Sequence, residues 1–454
     1  MSEISSFFTR KSLLLIFTYA PVGFGHLRVT DALYHGLPKD VSPVLLGSQD
    51  QSITFLYRLL SIHPVLTNLM ERSQHGVLEG LYATLSRNFY RSNAKLLFQQ
   101  LETIIDERIE IPETVLVVST HFALAHQIAS IKERFSQKRH VRIILAVQVT
   151  DDSPQQIWFV PGADIIFVPS LKTKERLVAY GRKMGFSEVT IEVNPYPVSP
   201  LLSKRMIEEK IEKRKKQGEK EGSASTHIAI PLSGAAVGLN FFETLIDSLH
   251  LTSDRYRFHV VGKDAKYTKK FLGNVSTRSY VQIHSAYTDR IVLDIYEQMY
   301  QKEIISIEVT KPSEQAFKSL LHPTQVGGPV MLFTKPVGRQ EYDNLAFLHR
   351  HELIPTLIES KRLWDKAKRN EEFHTEEDAA FIEKMKQWRG LLLPEDPILS
   401  STFIHWAVRV GIIEEMLLNT RYQSQHDPRK EELRENGVEQ FWGKTEAYLK
   451  SIIS

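Results

Sequence analysis

The sequence predicts an α/β protein of two tandem Rossmann-like lobes with a helical C-terminal extension. Three observations lead there. Short apolar runs alternate with stretches of helical period, the pattern of a parallel sheet covered on both faces. In each half, a loop rich in glycine or small residues follows the first such run. A highly charged stretch separates the halves, and 454 residues are too many for one ordinary core.

In the first half, Leu13–Phe17 is the first buried strand. It follows Arg10-Lys11 as a signal peptide would, but it is too short to span a membrane and lacks a small-residue cleavage site. It runs into Ala20-Pro21-Val22-Gly23-Phe24-Gly25-His26 and a helical stretch from Leu27 to Gly36. Val115–Val118 follows with Ser119-Thr120-His121 and a helix, then Val141–Val149 with Thr150-Asp151-Asp152. Ala163-Asp164-Ile165-Ile166-Phe167-Val168-Pro169-Ser170 is a further strand, with Lys172 to Tyr180 as its helix. The polar clusters stand where strands end, which is where such sheets place ligands.

Residues 204–222 carry eight Lys or Arg and five Glu with few core-forming residues. They read as a solvated linker or exposed helix; a patch for a membrane surface or polyanion is the alternative. The pattern then restarts. Ile228–Pro231 leads into Ser233-Gly234-Ala235-Ala236-Val237-Gly238, and Tyr256–Val261 into Gly262-Lys263-Asp264. Tyr280–Ile283 precedes His284 and a helical stretch from Tyr287 to Tyr300. The expected divisions are a first lobe at 1–200, a charged linker at 201–224, a second lobe at 225–354 and a helical extension at 355–454. The extension, with Glu371 to Lys386 and Glu431 to Ile453 as charged helices, shows no chemistry. Two such lobes create a cleft suited to holding two substrates away from water.

Composition narrows the classes. Hydrophobic content of 42% and charged content of 24% are those of an ordinary globular protein. The absence of cysteine removes disulfides, thiolate metal sites and cysteine nucleophiles, and agrees with a reducing, cytoplasmic setting. A net charge of +3 gives no case for nucleic acid.

Residues 307–348 are the most informative stretch. They read as a strand, a turn, a short helix opening at Ser313-Glu314, the strand Val330–Phe333, and a second helix opening at Gly338-Arg339-Gln340-Glu341 with Asn344. Two helix starts beside one strand end bring free backbone N–H groups together with a carboxylate and amides. Such a set suits a nucleotide diphosphate, amides and helix ends holding phosphate and a carboxylate accepting from ribose hydroxyls. Two well-capped helices of an ordinary domain are the plainer alternative.

The order of motifs resembles a GT-B glycosyltransferase, in particular the monogalactosyldiacylglycerol synthase and processive diacylglycerol glucosyltransferase group. Gly23-Phe24-Gly25-His26 with Ala32-Leu33 resembles that group's Gly-x-Gly-His loop, and Ser119-Thr120-His121 its Ser/Cys-Thr-His turn. Thr150-Asp151, Trp158, Gly162-Ala163-Asp164 and Phe167-Val168-Pro169-Ser170 resemble a further conserved-order stretch of the group. Glu314-Gln315-Ala316 resembles its Ser-Glu-Ala, and Gly338-Arg339-Gln340-Glu341 with Asn344 its Pro-Gly-Gln-Glu…Asn. The similarity runs from about residue 13 to 350. One departure stands out: the family's glycine-rich donor loop is replaced by Lys311-Pro312-Ser313-Glu314, without glycine. Proline removes one donor and fixes its own φ, and Ser313 is expected to cap the helix instead.

The resemblance implies transfer of a sugar from a nucleotide-sugar co-substrate, a UDP-sugar first, to a lipid-like acceptor with inversion. It implies no cofactor and peripheral contact with the inner face of a membrane, while the lack of a well-placed Asp-x-Asp motif leads to the expectation of no metal. His26 is the first choice for general base; Asp151 is the second, or the carboxylate that orients His26. Gly23, Gly25 and His121 are candidates for acceptor or phosphate contact. Ser233, Gly234, Lys311, Ser313, Glu314, Arg339, Gln340, Glu341 and Asn344 are candidates for the donor. No Asp-x-Asp pair is well placed, and Asp151-Asp152 is only an adjacent pair. Residues 53–92, apolar and aromatic with Arg58, Arg72, Arg87 and Arg91, are a candidate acceptor or membrane face, or simply helices covering the sheet. The alternatives are a nucleotide-sugar epimerase or hydrolase, and a catalytically reduced GT-B-like binding protein.

Overall fold

The computed structural model describes residues 6–19, 24–47, 76–373, 376–418 and 428–453. The chain forms two compact units, Met1–Pro200 with Arg429–Ser454, and Leu201–Pro428. Each contains a six-stranded sheet with every neighbouring pair parallel. The predicted pair of Rossmann-like α/β folds is what the chain adopts.

The first unit holds β1 (Leu13–Tyr19), β2 (Val44–Gly47), β3 (Thr114–Ser119), β4 (Arg142–Gln148), β5 (Ile165–Val168) and β6 (Thr190–Val193). Their order is β2-β1-β3-β4-β5-β6. From β1 the chain winds outward to β2, and from β3 it winds the other way, so the topological switch lies between β1 and β3. Val115 to Val118 are wholly buried because helices cover both faces. Helix Phe122–Arg139 packs on one face with Phe135 in the core. The last helix of the chain, Gly437–Ile453, returns to the other: Trp442 Nε1 donates to the Leu33 carbonyl at 2.9 Å. Phe441 lies 4.7 Å from Phe167, ring centre to ring centre. At Gly437 a Cβ would meet the Pro195 carbonyl oxygen at 2.2 Å, so the approach of this helix requires glycine.

The second unit holds β7 (Thr226–Pro231), β8 (Tyr256–Lys263), β9 (Val281–Ala286), β10 (Ile307–Thr310), β11 (Val330–Phe333) and β12 (Gly390–Leu392). The order β12-β11-β10-β7-β8-β9 puts its switch between β7 and β10. Residues 355–418 contribute to this unit: Phe403, Trp406 and Ala407 of helix Pro397–Arg409 join the same core as Leu245 and Leu249 of helix Leu239–Thr252.

The charged stretch at 201–224 is not simply solvated. Helix Glu208–Gly218 leaves most of its Lys and Glu exposed but buries Ile211, Arg214 and Gln217. Arg214 donates to the carbonyls of Pro323, Gln325 and Val326 at 2.7, 2.5 and 2.6 Å. Arg389 reaches the same loop, donating to Leu321, Gly328 and Pro329 at 3.0, 3.0 and 3.2 Å. Two buried guanidinium groups thus satisfy carbonyls of a loop that lies outside the main sheet. Among the described residues, no helix is long and apolar enough to cross a membrane.

Candidate active site: the two switch points

In the first unit, His26 lies in the first turn of helix Phe24–His35, directly after β1. Gly25 precedes it, and Gly23 lies outside the described residues. The His26 Nδ1–H donates to the Thr120 carbonyl at 2.7 Å, with the Thr150 hydroxyl 3.2 Å away. The hydroxyls of Thr30 and Thr120 both donate to the His26 carbonyl, at 3.0 and 3.1 Å, and lie 2.7 Å apart. Backbone and ring are therefore fixed together across the β1–β3 switch.

His121 meets the His26 ring edge-on at 4.7 Å, and Phe122 and Trp158 close in at 6.5 and 6.2 Å. Part of the His26 surface stays open, which softens the effect of burial but not its direction. Withdrawal from water lowers its pKa to about 4, against a smaller raising effect of the Thr120 hydrogen bond. His121, buried at the N-terminus of helix Phe122–Arg139, is held well below the usual value by burial and then by His26. Both rings are neutral at neutral pH. With the proton fixed on Nδ1, His26 keeps a lone pair on Nε2.

The Thr120 carbonyl holds the His26 ring, and the Thr150 hydroxyl, 3.2 Å from His26 Nδ1, donates to Asp151 Oδ2 at 3.4 Å and stands between His26 and Asp151. Asp152 is wholly buried and accepts from Ser170 and from Thr173 at 2.8 Å. It fastens the start of helix Leu171–Lys183 and is not open to a ligand.

In the second unit, three loops leave the carboxyl ends of adjacent strands. After β7, Ser233 and Gly234 precede Ala236 and Gly238, both with positive φ (49° and 85°), which turns the chain sharply into helix Leu239–Thr252. Tyr267 Oη donates to the Gly234 carbonyl at 3.0 Å, so the loop is held from outside. After β10, Lys311, Ser313 and Glu314 are half-buried. Ser313 makes no side-chain cap. Its carbonyl instead accepts from the Ala316 N–H at 2.9 Å, opening a tight 3₁₀ turn, Glu314–Leu320.

After β11, Gly338 at φ 89° and ψ 159° takes a backbone conformation open to glycine and starts helix Arg339–Arg350. Glu341 accepts from the Val337 N–H at 2.6 Å and pairs with Lys311 at 3.0 Å, both side chains mostly buried. Burial raises its pKa, Lys311 opposing. Its observed contacts make it a helix cap and an ion-pair partner. Asn344, also buried, donates to the Pro312 carbonyl at 3.3 Å and ties the two loops together. Arg339 pairs with Asp343 at 3.4 Å, and Gln340 is half-buried beside it.

Beneath Glu314 lies a group that the sequence does not reveal. Lys318 donates to Glu308 and to the Tyr296 hydroxyl, each at 2.7 Å, and Tyr296 donates to Glu308 at 2.8 Å. Tyr300 adds a further hydrogen bond to the same carboxylate. Lys318 sits one turn after Glu314, so this network holds the segment that presents it. Of the basic stretch at 53–92, Arg58 and Arg72 lie outside the described residues. Arg87 donates to the Gln156 carbonyl at 3.4 Å and to Tyr180 Oη at 3.3 Å, and Arg91 to the Pro161 carbonyl at 3.0 Å. Leu85 and Phe89 are exposed on the same helix.

No protein-family model matches the sequence, and no match is found among curated proteins. Among solved structures, the chain is similar to S. aureus MnaA with UDP, at 10% identity and a TM-score of 0.47, covering 97% of this chain and 98% of that one. It is similar to Anabaena HepE in complex with UDP and glucose, at 11% identity and a TM-score of 0.43, covering 95% and 99%. It is also similar to the Neisseria meningitidis UDP-GlcNAc 2-epimerase bound to UDP-GlcNAc, at 13% identity and a TM-score of 0.35, covering 74% and 85%.

Proposed function

We propose that this chain is a GT-B glycosyltransferase that uses a nucleotide sugar, a UDP-sugar first, as donor. The observation that carries the proposal is the β7–β10 switch of the second unit, where the Ser233-Gly234 loop and the Lys311-to-Glu314 segment leave neighbouring strands. Crevices of this kind bind nucleotides in open parallel sheets. Glu314 is the ribose ligand in this scheme. Backbone N–H groups of the three loops, with Lys311 and Arg339, hold the diphosphate.

His26 is the general base. An acceptor hydroxyl attacks the anomeric carbon on the face opposite the nucleotide diphosphate. The new C–O bond forms as the bond to the diphosphate breaks, the proton passes to His26 Nε2, and the configuration inverts. A base with a lowered pKa takes the proton late, once the attacking oxygen has become acidic, so leaving-group stabilisation carries most of the catalysis. No step calls for a metal. The acceptor is lipid-like, supported by the resemblance to glycolipid-forming enzymes and by exposed Leu85 and Phe89.

A second possibility, a donor-binding protein without turnover, is favoured by the Lys311–Glu341 pair, which engages a cation otherwise available to phosphate. A thermal-shift screen of the purified chain against UDP, GDP, dTDP, CMP and their sugars tests donor binding. Selective stabilisation by a uridine nucleotide is expected; no shift with any of them refutes it. Assays with diacylglycerol and polyprenyl phosphate vesicles then separate transfer from mere binding, and release of free sugar without acceptor identifies a hydrolase.

A further inference from the structure

Away from both switch points, three imidazoles line up across the second unit. His227 on β7, His259 on β8 and His284 on β9 share one sheet face. The register pairs Ala229 with His259 and Val261 with His284, and the apolar residues Ile228, Ile230, Phe258 and Val260 fill the other face. His227 Nδ1 lies 2.9 Å from His259 Nε2, and His259 Nδ1 lies 3.3 Å from His284 Nε2. The rings are stacked, at 25° and 23°. Glu303, immediately after helix Asp289–Lys302, brings a carboxylate oxygen to within 4.8 Å of the ligating nitrogens of His227 and His259.

We propose that His227, His259 and Glu303 form a binding site for a divalent transition-metal ion, zinc foremost, with His284 as the positioning partner of His259. Two imidazoles and a carboxylate are a borderline donor set, which suits zinc and its neighbours and not magnesium or calcium. Zinc–nitrogen bonds of about 2.0–2.1 Å in a tetrahedron set the two nitrogens roughly 3.3 Å apart, so a few tenths of an ångström of opening admits the ion. His259 then ligates through Nε2 and donates its Nδ1–H to His284 Nε2, an outer hydrogen bond that fixes a metal-binding tautomer.

Burial lowers the pKa of all three rings, that of His259 to about 3, so each ring is already neutral at neutral pH and keeps one nitrogen with a free lone pair. Arg257 stands near His227 and Lys302 near His284, and both oppose a cation that Glu303 favours. His227, His284 and Glu303 are half-buried, which leaves an entry path. Water completes the coordination. The ion joins β7, β8 and the segment entering β10 on one sheet face, with His227 near the amino end of β7, whereas the proposed donor crevice lies at the carboxyl ends of β7 and β10.

The test is titration of chelator-treated full-length chain with Zn²⁺ by calorimetry and with Co²⁺ by visible absorption. One equivalent is expected to bind, with Co²⁺ bands of a four- or five-coordinate nitrogen–oxygen site. Glu303→Gln and His227→Asn should each lose on the order of 100-fold in affinity. His284→Gln should lose roughly tenfold while keeping the band pattern. His140→Asn, in the other unit, should leave binding unchanged. Circular dichroism of each apo variant checks that it is folded. No binding by the parent chain, or binding that Glu303→Gln and His227→Asn leave intact, overturns the proposal and leaves a hydrogen-bonded histidine ladder.

Discussion

Replacing Lys318 by methionine tests how the segment bearing Glu314 is held. The Lys318 and Glu308 side chains are 3% and 0% exposed and 2.7 Å apart. An exposed ion pair is worth about 0–1 kcal/mol, whereas removing one partner of a buried pair costs about 3–5 kcal/mol, because the other charge is left without compensation. Here Tyr296 and Tyr300 still donate to Glu308 in the variant, which places the loss near the lower end. Lys318→Met should therefore cost about 3 kcal/mol, roughly a hundredfold in the unfolding equilibrium. The assay is urea unfolding at neutral pH, following the transition of the second unit. Adding Glu308→Gln removes the stranded charge and should return the double variant to within about 1 kcal/mol of the parent. A loss below about 1 kcal/mol in the single variant, or no recovery in the double one, would refute the account.

Other outcomes follow from the same geometry. Glu314→Ala should weaken nucleotide binding by about 1–3 kcal/mol if the carboxylate holds ribose hydroxyls, and unchanged calorimetric affinity removes it from the site. His26→Gln should abolish turnover while donor affinity stays within a few-fold, because His26 belongs to the first unit; loss of donor binding would make its role structural. With a pKa of about 4, His26 stays neutral across the neutral range, so the kcat profile should show no limb from it near pH 6.5. The folded state holds His26 at about 4 and His126 and His259 at about 3, while the unfolded chain takes up these protons near 6.5. Their contribution to stability is fully present above pH 6.5 and is lost as pH falls through about 4 for His26 and about 3 for His126 and His259, so urea midpoints should be lower at about pH 5 than at about pH 7.

What could be read in advance followed from periodicity. Val115–Val118, Val330–Phe333 and the other central strands are continuous apolar runs because both faces are covered, and such runs are visible in one dimension. Three of the four edge strands, β2, β6 and β12, are three or four residues long and partly polar or glycine-containing, so they carry no comparable signal. The loops at strand ends were legible as turn chemistry, but their internal bonds were not. That Glu341 meets Lys311, or that Asn344 holds the Pro312 carbonyl, depends on how adjacent strands stagger. Composition also misjudged Arg214, since charge predicts exposure and the carbonyls that accept from it come from residues 323–326, far along the chain. The histidine row was hidden for the same reason: only strand register brings positions 227, 259 and 284 side by side.

The return of Gly437–Ile453 to the first unit has a consequence for how the chain is made. Phe167 and Leu33 wait for Phe441 and Trp442, which emerge only after residues 201–428 have been synthesised. At roughly 5–20 residues per second, that delay is on the order of tens of seconds. During this time the second unit can complete its sheet while the first keeps an apolar face bare. The ribosome therefore delivers the part that begins last in working order first, and the nascent amino-terminal half is the part most in need of a chaperone's cover.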